Sequence, residues 1–213
     1  MEPVIQTLYT ISTALQLPVM VILLLFLGWS ALQIGRQVRE YVDLRTYRRA
    51  MKSAIAALKK GASEPRAVHE ATAELRDIRG PAKLLLAAAG SNAGEVVLGK
   101  VLDDVHIQLN DRVTRVGIGI RLGPMFGLMG TLIPMGPALT GLASGDINVL
   151  TQNLVVAFST TVLGLLIGGI CYVLQMTRKR WYAQDLSDLD FLHDVLIASR
   201  EDAHAKPHEE TQG

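Results

Sequence analysis

The sequence has little of what most soluble enzymes use for chemistry. Cys171 is the only cysteine in 213 residues, and aromatic residues make up 5% of the chain. A single cysteine excludes an intrachain disulfide. The glycine-rich motifs of nucleotide-binding proteins, the serine motif of α/β-hydrolases and the HExxH motif of zinc proteases are also missing. We therefore expect a protein that is not an enzyme and that uses no metal and no cofactor.

Lysine and arginine are absent from two stretches of the chain, residues 1–35 and residues 143–153. All 21 of them lie elsewhere, sixteen in residues 36–121 and five in residues 178–206. Because basic residues collect on the cytoplasmic side of membrane proteins, the N-terminus is predicted outside and the C-terminus inside, as in a multi-pass protein of the cytoplasmic (inner) membrane. The sequence does not indicate nucleic-acid binding, because it lacks a basic face with interleaved aromatic residues.

Charge is also absent from three long hydrophobic runs. Residues 15–32, 122–143 and 154–176 contain no Asp, Glu, Lys, Arg or His. A helix of 22 residues is about 33 Å long, and a bilayer core is about 30 Å thick. The short connection at Asp146 makes the second and third runs an antiparallel hairpin. The first run is followed by basic residues, which is typical of a retained anchor.

These patterns predict an all-α integral membrane protein with three transmembrane helices and long cytoplasmic helical extensions. Gly61 is predicted to end the first long helix, and Ser91-Asn92 with Glu95 resembles a capping box. Residues 178–182 (RKRWY) predict an interfacial anchor. The predicted segments are an outer tail (1–14), transmembrane helix 1 (15–35), a cytoplasmic helical region (36–116), transmembrane helix 2 (117–143), an outer loop (144–153), transmembrane helix 3 (154–177), a cytoplasmic amphipathic helix (178–200) and a disordered tail (201–213).

Small and weakly polar residues form a stripe along each helix of the predicted hairpin. The stripes include Gly123, Gly127, Gly130, Thr131 and Pro134 in the first helix, and Ala157, Thr160, Thr161, Gly164 and Gly168 in the second. Such stripes let helix backbones approach closely, and the two GxxxG pairs fit that use. Plain helix packing is one interpretation. Hydroxyls at mid-depth in both stripes favour a second, a path lined by these residues.

Two motifs in the hairpin resemble signatures of the MotA/TolQ/ExbB proton-channel family. Gly127-Leu128-Met129-Gly130-Thr131 is similar to the G-L-x-G-T motif of its second span, and residues 157–165 are similar to the A-x-x-x-T-x-x-G-L motif of its third. Three spans, with the large cytoplasmic piece after the first, resemble the ExbB and TolQ branch. The chain departs from that branch at Val156, which replaces a glutamate, and at residues 132–134, where Leu-Ile-Pro replaces Val-Trp-Gly.

The resemblance implies a ring-forming homo-oligomer, commonly a pentamer, around a single-span partner of the ExbD, TolR or MotB type. A membrane aspartate of that partner would carry the proton, which this chain's uncharged spans cannot do. By motif position Thr131 and Thr161 correspond to pore-facing hydroxyls, and Thr160 is a third candidate for the proton path. The expected function is a proton-channel subunit that converts proton-motive force into mechanical work on an envelope or transport system.

Other interpretations remain open from the sequence. A non-conducting membrane scaffold could use the same glycine faces to hold a partner helix. The threonines could simply bond to carbonyls one turn earlier and bend their helices. A small-solute carrier is least expected, because neither an inverted repeat nor a polar binding group at mid-membrane is found. The energised process, and the effects of Val156, Pro134 and Pro137, do not follow from the resemblance.

Overall fold

Five helices make up nearly all of the described chain. The computed structural model describes residues 2–60, 73, 75, 80–91 and 94–205. The helices are α1 (Glu2–Ala14), α2 (Gln16–Lys60), α3 (Ala82–Gly90), α4 (Glu95–Ala143) and α5 (Ile147–Ala205). Every regular element in these residues is a helix, which confirms the all-α prediction for this part of the chain.

Three of the helices, α2, α4 and α5, are long and apolar enough to cross a membrane. They contain 45, 49 and 59 residues. At 1.5 Å per residue their lengths are about 68, 74 and 89 Å, so each is more than twice as long as a bilayer core is thick. The three predicted spans therefore lie within much longer continuous helices.

The chain divides into two compact units. We call Met1–Arg36 with Val113–Thr177 the apolar unit, and Gln37–Arg112 with Arg178–Gly213 the charged unit. The apolar unit contains all three hydrophobic runs, whereas the charged unit contains 18 of the 21 lysine and arginine residues. Each unit is built from parts of α2, α4 and α5.

A break at Leu15 separates α1 from α2. Pro18 has no N–H group, so the carbonyl of Ala14 cannot receive the bond that an unbroken helix would provide. The Leu15 N–H still donates to the Ile11 carbonyl, as in a regular helix, and is shared with the Ser12 carbonyl, both at 3.1 Å. The predicted outer tail is thus helical over Glu2–Ala14.

The turn between α4 and α5 is shorter than the sequence indicated. Gly145 has φ of 75°, a left-handed conformation that favours glycine after a helix. The Asp146 N–H donates to the Gly141 carbonyl at 2.8 Å, and its carboxylate caps α5 by accepting a bond from the Val149 N–H at 3.1 Å. Because α5 already begins at Ile147, the predicted loop of residues 144–153 is reduced to three residues.

Other helix ends also differ from the predicted ones. The Ser91 hydroxyl donates to the Ala88 carbonyl at 2.8 Å, so this residue closes α3. Asn92, the other residue of the expected capping box with Glu95, lies outside the described residues. The helix α2 is described as far as Lys60, and Gly61, which was predicted to end it, lies outside the described residues. The helix α5 continues to Ala205, five residues into the predicted disordered tail, and the residues beyond it lie outside the described part.

Close backbone contact between α4 and α5 holds the hairpin of the apolar unit together. A Cβ atom added to Gly164 would lie 2.6 Å from the Gly123 carbonyl oxygen and 2.7 Å from Gly127 Cα. A Cβ added to Gly168 would lie 3.0 Å from the ring of Pro124. The glycine stripes therefore face each other within one chain. Pro124, Pro134 and Pro137 all lie inside α4 without ending it.

The charged unit packs around an apolar stripe on α2. Leu44, Tyr47, Met51 and Leu58 recur at helical spacing and are buried. Buried residues of the other helices in this unit are Leu85 and Leu86 of α3, Leu98, Val105 and Leu109 of α4, and Leu189 and Leu192 of α5.

One ion pair in the charged unit joins α2 to α5. The Arg48 guanidinium donates to both carboxylate oxygens of Asp185, at 2.8 and 2.9 Å. The Asp185 side chain is only 1% exposed and that of Arg48 is 22% exposed. Breaking such a pair leaves a desolvated charge without a partner, so this contact contributes to stability.

Asp185→Asn should destabilise the protein by about 1–3 kcal/mol, because Arg48 loses its charged partner in a buried position. Asp188→Asn is the matched control. Asp188 is on the same helix and accepts a bond from Gln184, in contact with solvent. Asp188→Asn should change the free energy of unfolding by no more than about 0.5 kcal/mol. Thermal denaturation of the purified protein would measure both, and equal midpoints for the two variants would contradict this role for the pair.

Gly164→Ala should destabilise the hairpin by roughly 1–3 kcal/mol, because the added methyl group collides with backbone atoms that cannot rotate away. Gly169 lies on the same helix, and a Cβ there would meet nothing within 4 Å. Gly169→Ala should therefore leave stability unchanged or raise it by up to about 1 kcal/mol through helix propensity. Thermal denaturation in detergent compares the two, and equal losses would show that the close approach is unimportant.

Candidate functional site

The candidate site lies on the α4–α5 hairpin, where two of the predicted threonines flank the helix contact. Gly130 and Thr160 face each other across this contact, since a Cβ on Gly130 would lie 2.6 Å from Thr160 Cβ. Thr160 is 6% exposed, and its hydroxyl donates to the carbonyls of Val156 and Ala157 at 3.1 and 2.9 Å. Thr160 is thus placed as a packing residue, which leaves Thr131 and Thr161 as candidates for a lining position.

Thr131 and Thr161 project on the same side of the hairpin. Each follows a residue of the facing pair Gly130 and Thr160, and each step along a helix turns about 100° around its axis. Because the two helices run antiparallel, these turns have opposite sense when viewed from one end, and both hydroxyls move to the same side. Their heights differ by only about 3 Å, since each residue rises about 1.5 Å in opposite directions. The predicted similar depth of the two hydroxyls follows from this register.

The other side of the hairpin is covered by α2. The rings of Phe26 and Phe126 lie 5.9 Å apart, and Ile133 belongs to the same buried cluster as Val19 and Leu23. Helical spacing puts Phe126 and Ile133 on the side opposite Thr131. No other helix among the described residues covers the side that carries the threonines.

We call this uncovered surface the open face. Four apolar side chains surround its two threonines, and they are 40–69% exposed. Thr131 and Thr161 themselves are half-buried. A lipid or another helix must cover such a surface in a membrane. The members of the open face are Leu128, Thr131, Met135, Phe158, Thr161 and Leu165.

Both hydroxyls of the open face bond to their own helices. Thr131 Oγ1 donates to the Leu128 carbonyl at 2.7 Å, and Thr161 Oγ1 donates to the Ala157 carbonyl at 3.2 Å. A hydroxyl that gives its proton to a carbonyl keeps its lone pairs available as acceptors. In this conformation each threonine can therefore accept a hydrogen bond from water or from a protonated carboxyl group.

The chemistry available on the open face is limited to hydrogen bonding. The three hydrophobic runs contain no Asp, Glu, Lys, Arg or His. In the part of the chain that the structure describes, no group of three or more His, Cys, Asp or Glu residues could hold a metal ion. A threonine hydroxyl does not titrate near neutral pH, so the face can orient a proton carrier but cannot itself be one.

A partly buried polar cluster around Glu40 in the charged unit is not indicated by the sequence patterns. The Tyr182 hydroxyl donates to the Glu40 carboxylate, and the guanidinium nitrogens of Arg178 and Arg112 lie 3.3 and 3.7 Å from its oxygens. Arg178 and Tyr182 are 6% and 3% exposed, so these two residues of the expected interfacial anchor point inward. The position of Glu40 on the same helical stripe as Leu44 was the available signal.

Burial and the hydrogen bond to Glu40 raise the pKa of Tyr182 to about 12. The hydroxyl therefore stays protonated at neutral pH and remains a donor to the carboxylate. Two cations on neighbouring helices, Arg112 on α4 and Arg178 on α5, lie next to Glu40, which offsets the desolvation of its carboxylate. The cluster joins α2, α4 and α5 within the charged unit.

Most of the residues described above lie within the part of the chain that matches a known protein family. The model of the MotA/TolQ/ExbB proton channel family matches residues 29–189, which include the hairpin, both threonines of the open face and the Glu40 cluster. No curated protein matches the chain. Because the match covers well over half of the 213 residues, the chain belongs to the MotA/TolQ/ExbB proton channel family.

Proposed function

We propose that the chain is the ring-forming subunit of a proton-driven machine in the cytoplasmic membrane. Several copies, most simply five, surround a single-span partner of the ExbD, TolR or MotB type. Proton flow through the centre drives mechanical work on an envelope or transport system. The observation that carries this proposal is the pair of hydroxyls, Thr131 and Thr161, at similar depth on the open face.

The open face suits the inside of a ring. Its apolar side chains can pack against a partner helix, and its two hydroxyls are the polar groups that α4 and α5 offer there. The opposite side of the hairpin already packs on α2 and is the natural outer side. Since the three hydrophobic runs contain no carboxylate and no histidine, the proton must reside on a residue of the partner, and a membrane aspartate has the required chemistry.

The threonines would then serve the partner's carboxyl group in both of its protonation states. In the observed conformation, each hydroxyl can accept a bond from the protonated acid. After the proton leaves, rotation of the hydroxyl would let it donate to the carboxylate. The face would thus hold the carboxyl group at one depth while the proton is exchanged, and the partner would turn or shift relative to the ring.

A non-conducting scaffold is the second candidate function. The bonds from Thr131 and Thr161 to their own helices favour it, because such bonds also occur where a threonine only adjusts helix geometry. In that case the hydroxyls would contribute nothing to proton flow, and a valine of the same shape could replace each of them.

Thr131→Val and Thr161→Val should each lower proton flux roughly tenfold or more, because a hydrogen bond to a charged group contributes about 1.5–3 kcal/mol. The measurement is acidification of vesicles that contain the chain together with its partner. Thr140→Val is the matched control for α4. Thr140 bonds to its own helix in the same way, but lies nine residues from Thr131, about half a turn around the axis.

Ser159→Ala is the corresponding control for α5, since Ser159 also bonds to its own helix and lies away from the open face. Both controls should conduct within about twofold of the parent, because neither removes a group from the path. Full flux in assembled Thr131→Val and Thr161→Val variants would refute the lining role and favour the scaffold.

The proposed orientation puts the turn at Asp146 outside and the charged unit in the cytoplasm, following the distribution of lysine and arginine. Asp146→Cys should therefore react with an impermeant maleimide in intact cells, whereas Ala183→Cys should react only after the membrane has been opened to the reagent. Both positions are exposed. Labelling of both from the same side would contradict the orientation, and the parent chain, whose Cys171 is buried, provides the background.

A further inference from the structure

We propose that neighbouring copies of this chain pack head-to-tail through the charged unit, with a basic face of α2 from one copy on an acidic face of α4 from the next. The inference rests on the ring of the proposed function and adds the surfaces that build it. Two exposed helix faces of opposite charge carry the argument.

The basic face runs along the outer side of α2. Val38 and Val42 are 60% and 62% exposed, and the charged positions that follow on the same side are all basic. Helical spacing puts them opposite the buried stripe of Leu44, Tyr47 and Met51. Among the described residues none of the three cations takes part in an ion pair. The basic face consists of Val38, Val42, Arg45, Arg49 and Lys52.

The acidic face runs along the outer side of α4. Val96 and Ile107 are 86% and 56% exposed, and aspartates alternate with them. Of these acids, Asp104 is paired with Lys100 at 2.6 Å, whereas Asp103 and Asp111 take part in no ion pair with any described residue. This side is opposite the buried Leu98, Val105 and Leu109. The acidic face consists of Val96, Asp103, Asp104, Ile107 and Asp111.

Both faces combine exposed aliphatic residues with charged ones, and their net charges are opposite. The basic face carries three cations, whereas the acidic face carries three aspartates, and the one lysine on that side of α4, Lys100, is paired with Asp104. Aliphatic contact supplies attraction that does not depend on charge, while charge complementarity sets register and rejects wrong pairings. Two basic faces, or two acidic faces, would repel each other. The pattern therefore disfavours a two-fold dimer and favours an interface between different faces, which closes into a ring under rotation.

Cyclic symmetry restricts the heights, measured along the ring axis, at which residues of two copies can be in contact, and the two faces satisfy this restriction. Rotation about an axis along the helices leaves every residue at its own height, so contacting residues of two copies must share a height. Glu40 and Arg112 lie 3.7 Å apart and mark a common level of α2 and α4. Arg49 lies nine residues beyond Glu40, and Asp103 lies nine residues before Arg112. In these antiparallel helices each is about 13 Å from that level in the same direction, so Arg49 of one copy can reach Asp103 of the next.

An anionic membrane surface is the main competing occupant of the basic face. Headgroup phosphates would bind Arg45 and Arg49 but would leave the acidic face without a role. The unpaired aspartates at matching height favour a second copy of the chain. The experiment must therefore test both faces together.

Arg49→Cys and Asp103→Cys are placed in separately tagged copies that are expressed together, and membranes are treated with a short bismaleimide linker. The expected product is a covalent dimer carrying both tags, with little product from either variant alone. Ser187→Cys replaces Asp103→Cys in the matched control. Ser187 is exposed on α5 two residues beyond Asp185, at the level set by the Arg48 ion pair, so it tests height without the acidic face.

Mixed dimers with Asp103→Cys should exceed those with Ser187→Cys at least about fivefold, since only a specific face holds two side chains within reach of a short linker. Equal yields in the two pairs, or dimers of Arg49→Cys alone, would overturn the head-to-tail arrangement. The parent chain contributes the background, because its buried Cys171 is unchanged.

Exchanging the two charges distinguishes a second copy of the chain from anionic lipid as the occupant of the basic face. Arg49→Glu and Asp103→Arg should each lower the yield of rings in a native gel roughly tenfold through like-charge contact, and the two together should restore it. The proposal would be refuted if Arg49→Glu lowered the yield of rings, Asp103→Arg did not, and the double variant did not restore it. That result would assign the basic face to anionic lipid. Both measurements report assembly and do not depend on proton flow. A ring that forms through these faces but does not conduct protons would therefore contradict the proposed function and not the proposed interface.

Discussion

The close backbone contact between α4 and α5 is the constraint on which the candidate site depends. Gly123, Gly127 and Gly164 meet without side chains between them, and this fixes the register that puts Gly130 opposite Thr160. A shift of one residue in either helix would turn its threonine by about 100° and separate the two hydroxyls. Small residues in the contact thus determine which polar groups reach the open face, although the glycines have no polar side chains themselves.

The two units handle polar groups in different ways because they differ in what can neutralise a charge. In the charged unit, Glu40 and Asp185 are buried against cations and a tyrosine donor on neighbouring helices. The hydrophobic runs of the apolar unit contain no Asp, Glu, Lys, Arg or His, and the hydroxyls of Thr131 and Thr161 bond to carbonyls of their own helices. A proton carrier in those runs would require a partner chain, whereas hydroxyls that change between accepting and donating need no counter-ion.

The sequence predicts much of this fold because hydropathy, glycine and proline act locally. The three apolar runs and the two small-residue stripes follow from such signals. Which threonine of the pair Thr160 and Thr161 faces the helix contact does not, because neighbouring positions differ by about 100° and only the partner helix selects between them. The Glu40 cluster and the capping role of Asp146 were missed for a similar reason, since each depends on groups that the chain brings together only on folding.

Val156, where the chain departs from the ExbB and TolQ pattern, can be located on α5 relative to the open face. Val156 precedes Thr161 by five residues, so it lies about 140° around α5 from that hydroxyl. A carboxylate at this position would not project beside Thr161 on the open face. Val156 is half-buried, and its carbonyl accepts a bond from Thr160 at 3.1 Å. Replacement of a glutamate by valine therefore removes a charge from another side of the helix, while the two hydroxyls that would receive the partner's carboxyl group keep their positions.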